Sequence, residues 1–210
     1  PPSGRSERSP LTASDATFVV AGVKAAPVNK SGHVLNGALL AVGLGAILAV
    51  DPTAGPILAG PDGTVTPESV ATVAGEVGAS VAKLSLPITL GALFPDVDTA
   101  FGRHRKTLHS LPVLGVFLAF PFVFGNLGYV WIGILTHYVL DYLGSRRGIA
   151  LFYPLSKTEY GFPSGVTTSS RFANAVTIVV TAVELAVAAV IVHVLPRYVE
   201  LEGAAALLPL

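Results

Sequence analysis

Five stretches of this chain are apolar over the length of a membrane-crossing helix or close to it, with few charges inside them. They run from about His33 to Val50, Pro67 to Leu93, Pro112 to Phe124, Tyr129 to Leu143 and Phe172 to Leu195. A bilayer core about 30 Å thick takes roughly 20 helical residues to cross, and within it every backbone polar group must be satisfied internally. Composition agrees: 51% of residues are apolar, 12% are charged and mean hydropathy is +0.66, whereas soluble domains carry roughly a quarter charged residues. These features predict an all-α integral membrane protein, one bundle of about five transmembrane helices over residues 31–195. Residues 1–30, rich in Pro, Ser and Gly, read as a poorly ordered tail, and 196–210 as a C-terminal tail.

Local chemistry sets the predicted helix ends. Thr66-Pro67-Glu68 combines a hydroxyl cap, a first-turn proline and an early acid. Phe94-Pro95 ends that helix, because a residue before proline is pushed out of the α region. Ser110-Leu111-Pro112 opens the third helix, and Gly125, Asn126 and Gly128 turn into the fourth. Residues 144–170 form a polar loop in which Ile149 to Leu155 is a short apolar stretch suited to the membrane interface. Eleven of the thirteen Lys and Arg fall in the tail and in the loops after the second and fourth helices. The positive-inside rule makes that face cytoplasmic, with the N-terminus in and the C-terminus out.

Nearly all the metal-binding chemistry falls at that same face. His137 and Asp141 stand four residues apart, so they share one face of the fourth helix and can reach a single cation. A hydrogen-bonded structural pair fits that spacing equally well. His33 opens the first helix, Asp96 and Asp98 follow the second, and His104 and His109 precede the third. Ionisable groups at membrane depth are costly and point to a functional site. Neutral imidazoles and carboxylates converging from separate helices suit a divalent ion. Cysteine is absent, so thiolate ligands are excluded and zinc, manganese or iron is favoured. Net charge is zero, so nucleic acid binding by bulk charge is not expected. Gly37, Ala41 and Gly45 continue the His33 face as a small-residue stripe that admits a neighbouring helix. The negative end of the second helix favours a cation, and free N–H groups at Ser110 would suit an anion beside Arg103, Arg105 and Lys106.

The set His33, PDVD (95–98), HRKTLHS (104–110), HYVLD (137–141) and the stretch 148–154 resembles the YdjM-type membrane-bound metal-dependent hydrolases, over about residues 31–156. That family is in turn distantly similar to zinc-dependent phospholipase C and P1-type nuclease, whose zinc ions are held by His and Asp. Leu108 stands where the family has Thr, and the additional His and Glu ligands of the soluble relatives are absent after Asp141. The resemblance implies hydrolysis of a phosphate ester, with a phospholipid or lipid-linked phosphate as the natural substrate class at a membrane.

The expected mechanism places one or two divalent ions, zinc foremost, on His33, Asp98, His109, His137 and Asp141, lowering the pKa of bound water towards about 7. Asp96 would orient or deprotonate the water, and His104 with Arg105 would hold the phosphate or protonate the leaving group. The two aspartates are not separable by sequence. The alternative function is a divalent-metal carrier or metal-sensing membrane protein without catalysis. Lys83 and Glu184 lie at similar mid-membrane depths and are expected to pair between the second and fifth helices, or else to stand apart with Lys83 snorkelling and Glu184 protonated.

Overall fold

The computed structural model describes residues 30–50, 64–163, 165–166 and 170–195. Residues 1–29 of the expected N-terminal tail, residues 51–63 and the expected C-terminal tail 196–210 lie outside them. Among the described residues there are five α-helices: α1 (Lys30–Ala49), α2 (Pro67–Leu93), α3 (Leu111–Phe124), α4 (Val130–Gly144) and α5 (Ala173–Ala189). A 3-10 turn, Pro95–Thr99, follows α2, and a π-helical turn, Val190–Val194, extends α5. Among the described residues there are no strands, only isolated bridges pairing Ser145 with Val166 and Ile149 with Tyr160.

Among the described residues three segments are long and apolar enough to cross a membrane: Ser31–Ala49, Pro67–Thr99 and Ala173–Val194. With 14 and 15 residues, α3 and α4 reach only about 21 to 22 Å at 1.5 Å per residue. They form a shorter hairpin, turned by Gly125 in the left-handed region at φ 69°.

The predicted capping of α2 is present in full, with Ser69 N–H donating to Thr66 Oγ1 at 3.2 Å and Thr66 N–H to Ser69 Oγ at 3.1 Å. Its far end falls at Leu93 as expected, but not for the expected reason. Phe94 stays in the right-handed helical region, and its N–H still reaches Leu90 and Gly91. The chain therefore tightens into the 3-10 turn instead of breaking, and this turn presents Asp96 and Asp98 on different sides.

The core forms where α2 meets α1 and α4. Leu40, Ala41, Leu44, Leu84 and Ile88 make one apolar cluster, and Val130, Ile134, Tyr138 and Ile149 another. The stripe on α1 faces α2: a Cβ on Gly45 would lie 2.5 Å from Val81 Cγ2, and one on Gly37 3.1 Å from Ala92 Cβ. Approach is closer still between α2 and α4. A Cβ on Gly133 would overlap the Ile88 carbonyl oxygen and lie 2.6 Å from Ala92 N. Such contact requires glycine, because backbone atoms cannot move aside by changing rotamer.

The expected Lys83–Glu184 pair does not form. Lys83 is exposed, with Nζ 5.5 Å from the Tyr129 ring centroid, while Glu184 bonds to Asn36 and Thr136. Equal depth along two helices does not place two side chains on facing sides. In the stretch 149–155, Ile149 and Ala150 are wholly buried beside the site, while Phe152 and Leu155 are exposed.

Candidate metal centre

His137 is placed by the glycine contact one turn before it. With α4 pressed onto the last turn of α2, His137 Nδ1 lies 2.6 Å from the Ala92 carbonyl oxygen. That carbonyl belongs to the group a helix end leaves without intrahelical partners. A carbonyl can only accept, so Nδ1 carries the proton and Nε2 presents a lone pair. His109 is fixed in the same sense, its Nδ1 lying 3.1 Å from Asp98 Oδ2. Its Nε2 is therefore also a bare acceptor.

These two acceptors face one another at 3.0 Å in a fully buried space. Neither neutral ring can donate across that gap, so the arrangement calls for a cation between them. A single proton would serve only those two atoms. Asp141 Oδ2, however, lies 3.5 Å from His109 Nε2 and 3.7 Å from His137 Nε2, and it is buried without a hydrogen-bond partner. Atoms bound tetrahedrally at about 2.0 to 2.1 Å sit about 3.3 Å from one another. The separations of 3.0, 3.5 and 3.7 Å bracket that value, so the donor set fits a divalent ion.

Two further residues complete the pocket. His33 stacks on His137 with ring centroids 3.7 Å apart, and its Nε2 is 3.6 Å from Asp141 Oδ1. Asp96 Oδ1 lies 3.9 Å from His137 Nε2 and 4.0 Å from His104 Nδ1, while its Oδ2 is buried and unpartnered. Three groupings have ligand atoms within 4.8 Å of one another: His33, Asp96 and His137; Asp96, His104 and His109; and His109, His137 and Asp141.

Asp98, expected as a ligand, lies outside these three groupings, and Asp96 lies in two of them. Asp98 is fully buried, with Oδ1 3.0 Å from His104 Nδ1 and Oδ2 accepting from His109 Nδ1 and the Leu108 N–H. It stands behind the two histidines and orients them, whereas Asp96 looks into the pocket. Arg105 also departs from its expected place. It occupies the left-handed region at φ 65°, rare for a non-glycine residue. Its guanidinium is buried, donating to Ser145 Oγ at 2.7 Å, to the Arg147 carbonyl and to Asp141 Oδ1 at 3.3 Å. Those bonds tie the guanidinium to Asp141 and the 145–147 segment. His104, with its side chain 32% exposed, forms the rim.

Two of the N–H groups expected to face an anion at the start of α3 are already bonded within the protein. The Ser110 N–H donates to Tyr138 Oη at 3.1 Å, the Leu111 N–H donates to the Leu151 carbonyl at 2.8 Å, and Pro112 has no N–H. The Tyr138 hydroxyl in turn donates to the Leu108 carbonyl, with the Ser110 carbonyl 3.1 Å away, fixing the loop that carries His109. It is absent from the sequence-derived set although it neighbours His137. A further clasp ties that loop to residues 149–151, through Ala150 N–H on the Arg105 carbonyl at 3.0 Å. Of the five histidines, His193 alone lies outside this cluster, in the π turn at the far end of α5.

The model of the YdjM inner membrane protein family matches residues 28–208. The chain belongs to the YdjM inner membrane protein family. This YdjM protein matches no curated protein and no solved structure. The matched range contains every residue of the buried His/Asp cluster, so the centre lies within the family's own region of this YdjM chain.

Proposed function

We propose that this YdjM-family protein is a membrane-bound metal-dependent hydrolase of phosphate esters, acting at the cytoplasmic face on a phospholipid or another lipid-linked phosphate. The observation that carries the reading is the pair of bare Nε2 atoms of His109 and His137 facing each other 3.0 Å apart beside the unpartnered Asp141 Oδ2. The resemblance of its motifs to hydrolases, including the distant similarity to zinc-dependent phospholipase C and P1-type nuclease, supports the reaction class.

His109, His137 and Asp141 form the primary ligand set in this reading, with His33 and Asp96 beside them; zinc fits the all-imidazole and carboxylate donors. A bound divalent ion supplies Lewis-acid chemistry and a hydroxide nucleophile near neutral pH. Asp98 holds the Nδ1–H tautomer of both His104 and His109, so His104 keeps its other nitrogen for proton exchange at the pocket rim. Arg105 holds Asp141 against the histidines and offsets its buried charge. Asp96, with one oxygen unpartnered, is placed either to complete the ligand set or to accept a proton from water.

Transport of the ion is the competing reading. Polar contacts continue one turn deeper, to Asn36, Thr136 and Glu184. Beyond them lies an apolar groove of about 480 Å³ lined by Leu44, Leu48, Phe122, Trp131 and Ile191 among others, which favours chemistry at one face over passage. The test uses protein reconstituted in vesicles and loaded with zinc, assayed against phosphodiester and phosphomonoester lipids. Turnover that stops on chelation, and is lost in His104→Ala with the ion retained, is the expected result. Zinc entry into the vesicles without hydrolysis of either lipid class would favour the carrier.

A further inference from the structure

One turn below the metal centre, a second buried cluster joins α1, α4 and α5. Asn36 follows His33 by three residues, Thr136 directly precedes His137, and Glu184 and Thr181 approach from α5. Asn36 and Thr181 are buried with Thr136, while Glu184 is half-buried at the end of the apolar groove. Among the described residues no ion pair reaches Glu184.

The number of protons available decides its chemical form. Thr136 Oγ1 lies 2.6 Å from Asn36 Oδ1 and 2.7 Å from both carboxyl oxygens of Glu184. These are hydrogen-bond distances between oxygens, yet the threonine hydroxyl has one proton to give. Asn36 Nδ2 spends its own on Thr181 Oγ1 at 2.9 Å and Glu184 Oε2 at 3.1 Å, and the Thr181 hydroxyl donates to the Thr177 carbonyl at 2.8 Å. Turning the Asn36 amide over does not help, because its oxygen would then face Glu184 Oε2 at 3.1 Å with no proton between them. In either orientation one proton is missing, and only the carboxyl of Glu184 can carry it. A neutral acid also suits a group at the floor of an apolar groove within the membrane, where an unpaired carboxylate is expensive.

We infer that Glu184 is held as a neutral carboxylic acid whose proton completes the chain Glu184 to Thr136 to Asn36, and that this chain is the positioning element setting His33 against His137. Its second half rests on the metal-centre reading above. Asn36 and Thr136 sit on the same turns as the two stacked rings, so locking these residues together fixes how α1 and α4 are rotated at the ligands. A carboxylate would leave one oxygen pair without a proton, Thr136 Oγ1 against Asn36 Oδ1 at 2.6 Å, and release that lock.

The experiment compares Glu184→Gln and Glu184→Ala with the wild type. Glutamine reproduces the neutral acid, accepting from Asn36 and donating to Thr136, so its zinc affinity and the ligand-field spectrum of its cobalt-substituted form should equal those of the wild type. Alanine should weaken zinc by about 10- to 100-fold, as loss of a ligand-orienting partner does, and should shift the cobalt bands. Infrared difference spectra at neutral pH between wild type and Glu184→Gln should show loss of one protonated-carboxyl carbonyl stretch. A carboxylate band lost in its place, or glutamine as damaging as alanine, would overturn the inference. Were the wild type to bind no ion, the positioning role would fall together with the metal centre, while the infrared band would still decide the state of Glu184.

Discussion

Replacing Gly133 with alanine tests the link between helix packing and the metal centre. The new Cβ would meet Ala92 N at 2.6 Å and Gly91 C at 2.8 Å and overlap the Ile88 carbonyl, all backbone atoms. Relieving the Ala92 N contact alone, from 2.6 Å to the 3.4 Å where ordinary contact begins, parts α2 and α4 by about 0.8 Å, and the closer Ile88 carbonyl requires at least that. The same displacement stretches the 2.6 Å His137–Ala92 bond to about 3.4 Å, beyond the usual range of hydrogen bonds. Overpacking costs about 1 to 3 kcal/mol and the lost bond about 1, partly offset by about 1 from the better helix former. The net loss is about 1 to 3 kcal/mol. Freed from Ala92, His137 is no longer held in the tautomer that offers Nε2, and zinc affinity should fall by about 10- to 100-fold. Thermal unfolding in detergent and zinc titration read the two effects. Gly115→Ala is the control, since a Cβ there meets nothing within 4 Å. Wild-type stability together with wild-type zinc affinity in Gly133→Ala would refute the reasoning.

Asp98→Asn should keep the fold yet weaken zinc by about 10- to 100-fold by loosening His109 and His104, whereas Asp141→Ala should abolish binding; titrations giving the reverse order would exchange their roles. Lys83→Ala should cost no more than about 1 kcal/mol, the worth of an exposed cation–π contact. Its effect should add to that of Glu184→Gln within about 0.5 kcal/mol, and strong coupling in that double-mutant cycle would restore the ion pair. His193→Ala should leave zinc content and turnover unchanged; elemental analysis finding metal loss there would mean that α5 lies the other way round.

Helix placement was legible because apolar length and capping chemistry act locally: Thr66-Pro67 opens α2 and Gly125 turns α3 as their side-chain and backbone preferences require. The cluster of His33, His109, His137 and Asp141 was legible for a related reason. Residues at alternate ends of successive antiparallel segments must meet at one face. What escaped was direction around each axis. Counting residues gives depth at 1.5 Å per step, but each step also turns the helix by about 100°, so Lys83 and Glu184 share a depth and not a side. Within the Pro95–Thr99 turn two positions suffice to send Asp96 into the pocket and Asp98 behind it. Arg105 was misjudged because its left-handed backbone, which nothing in the local sequence signals, points the guanidinium inward. Tyr138, Gly91 and Gly133 carry a weaker signal, for they surround His137 at helical spacing.

The most direct measurement is the metal content of protein purified from membranes without chelator, by elemental mass spectrometry, for the wild type beside His137→Ala and Asp141→Ala. One or two divalent ions per chain in the wild type, with none in either variant, is the predicted result. A wild type that stays metal-free after incubation with zinc and wash-out, or variants that hold as much as the wild type, would contradict the account.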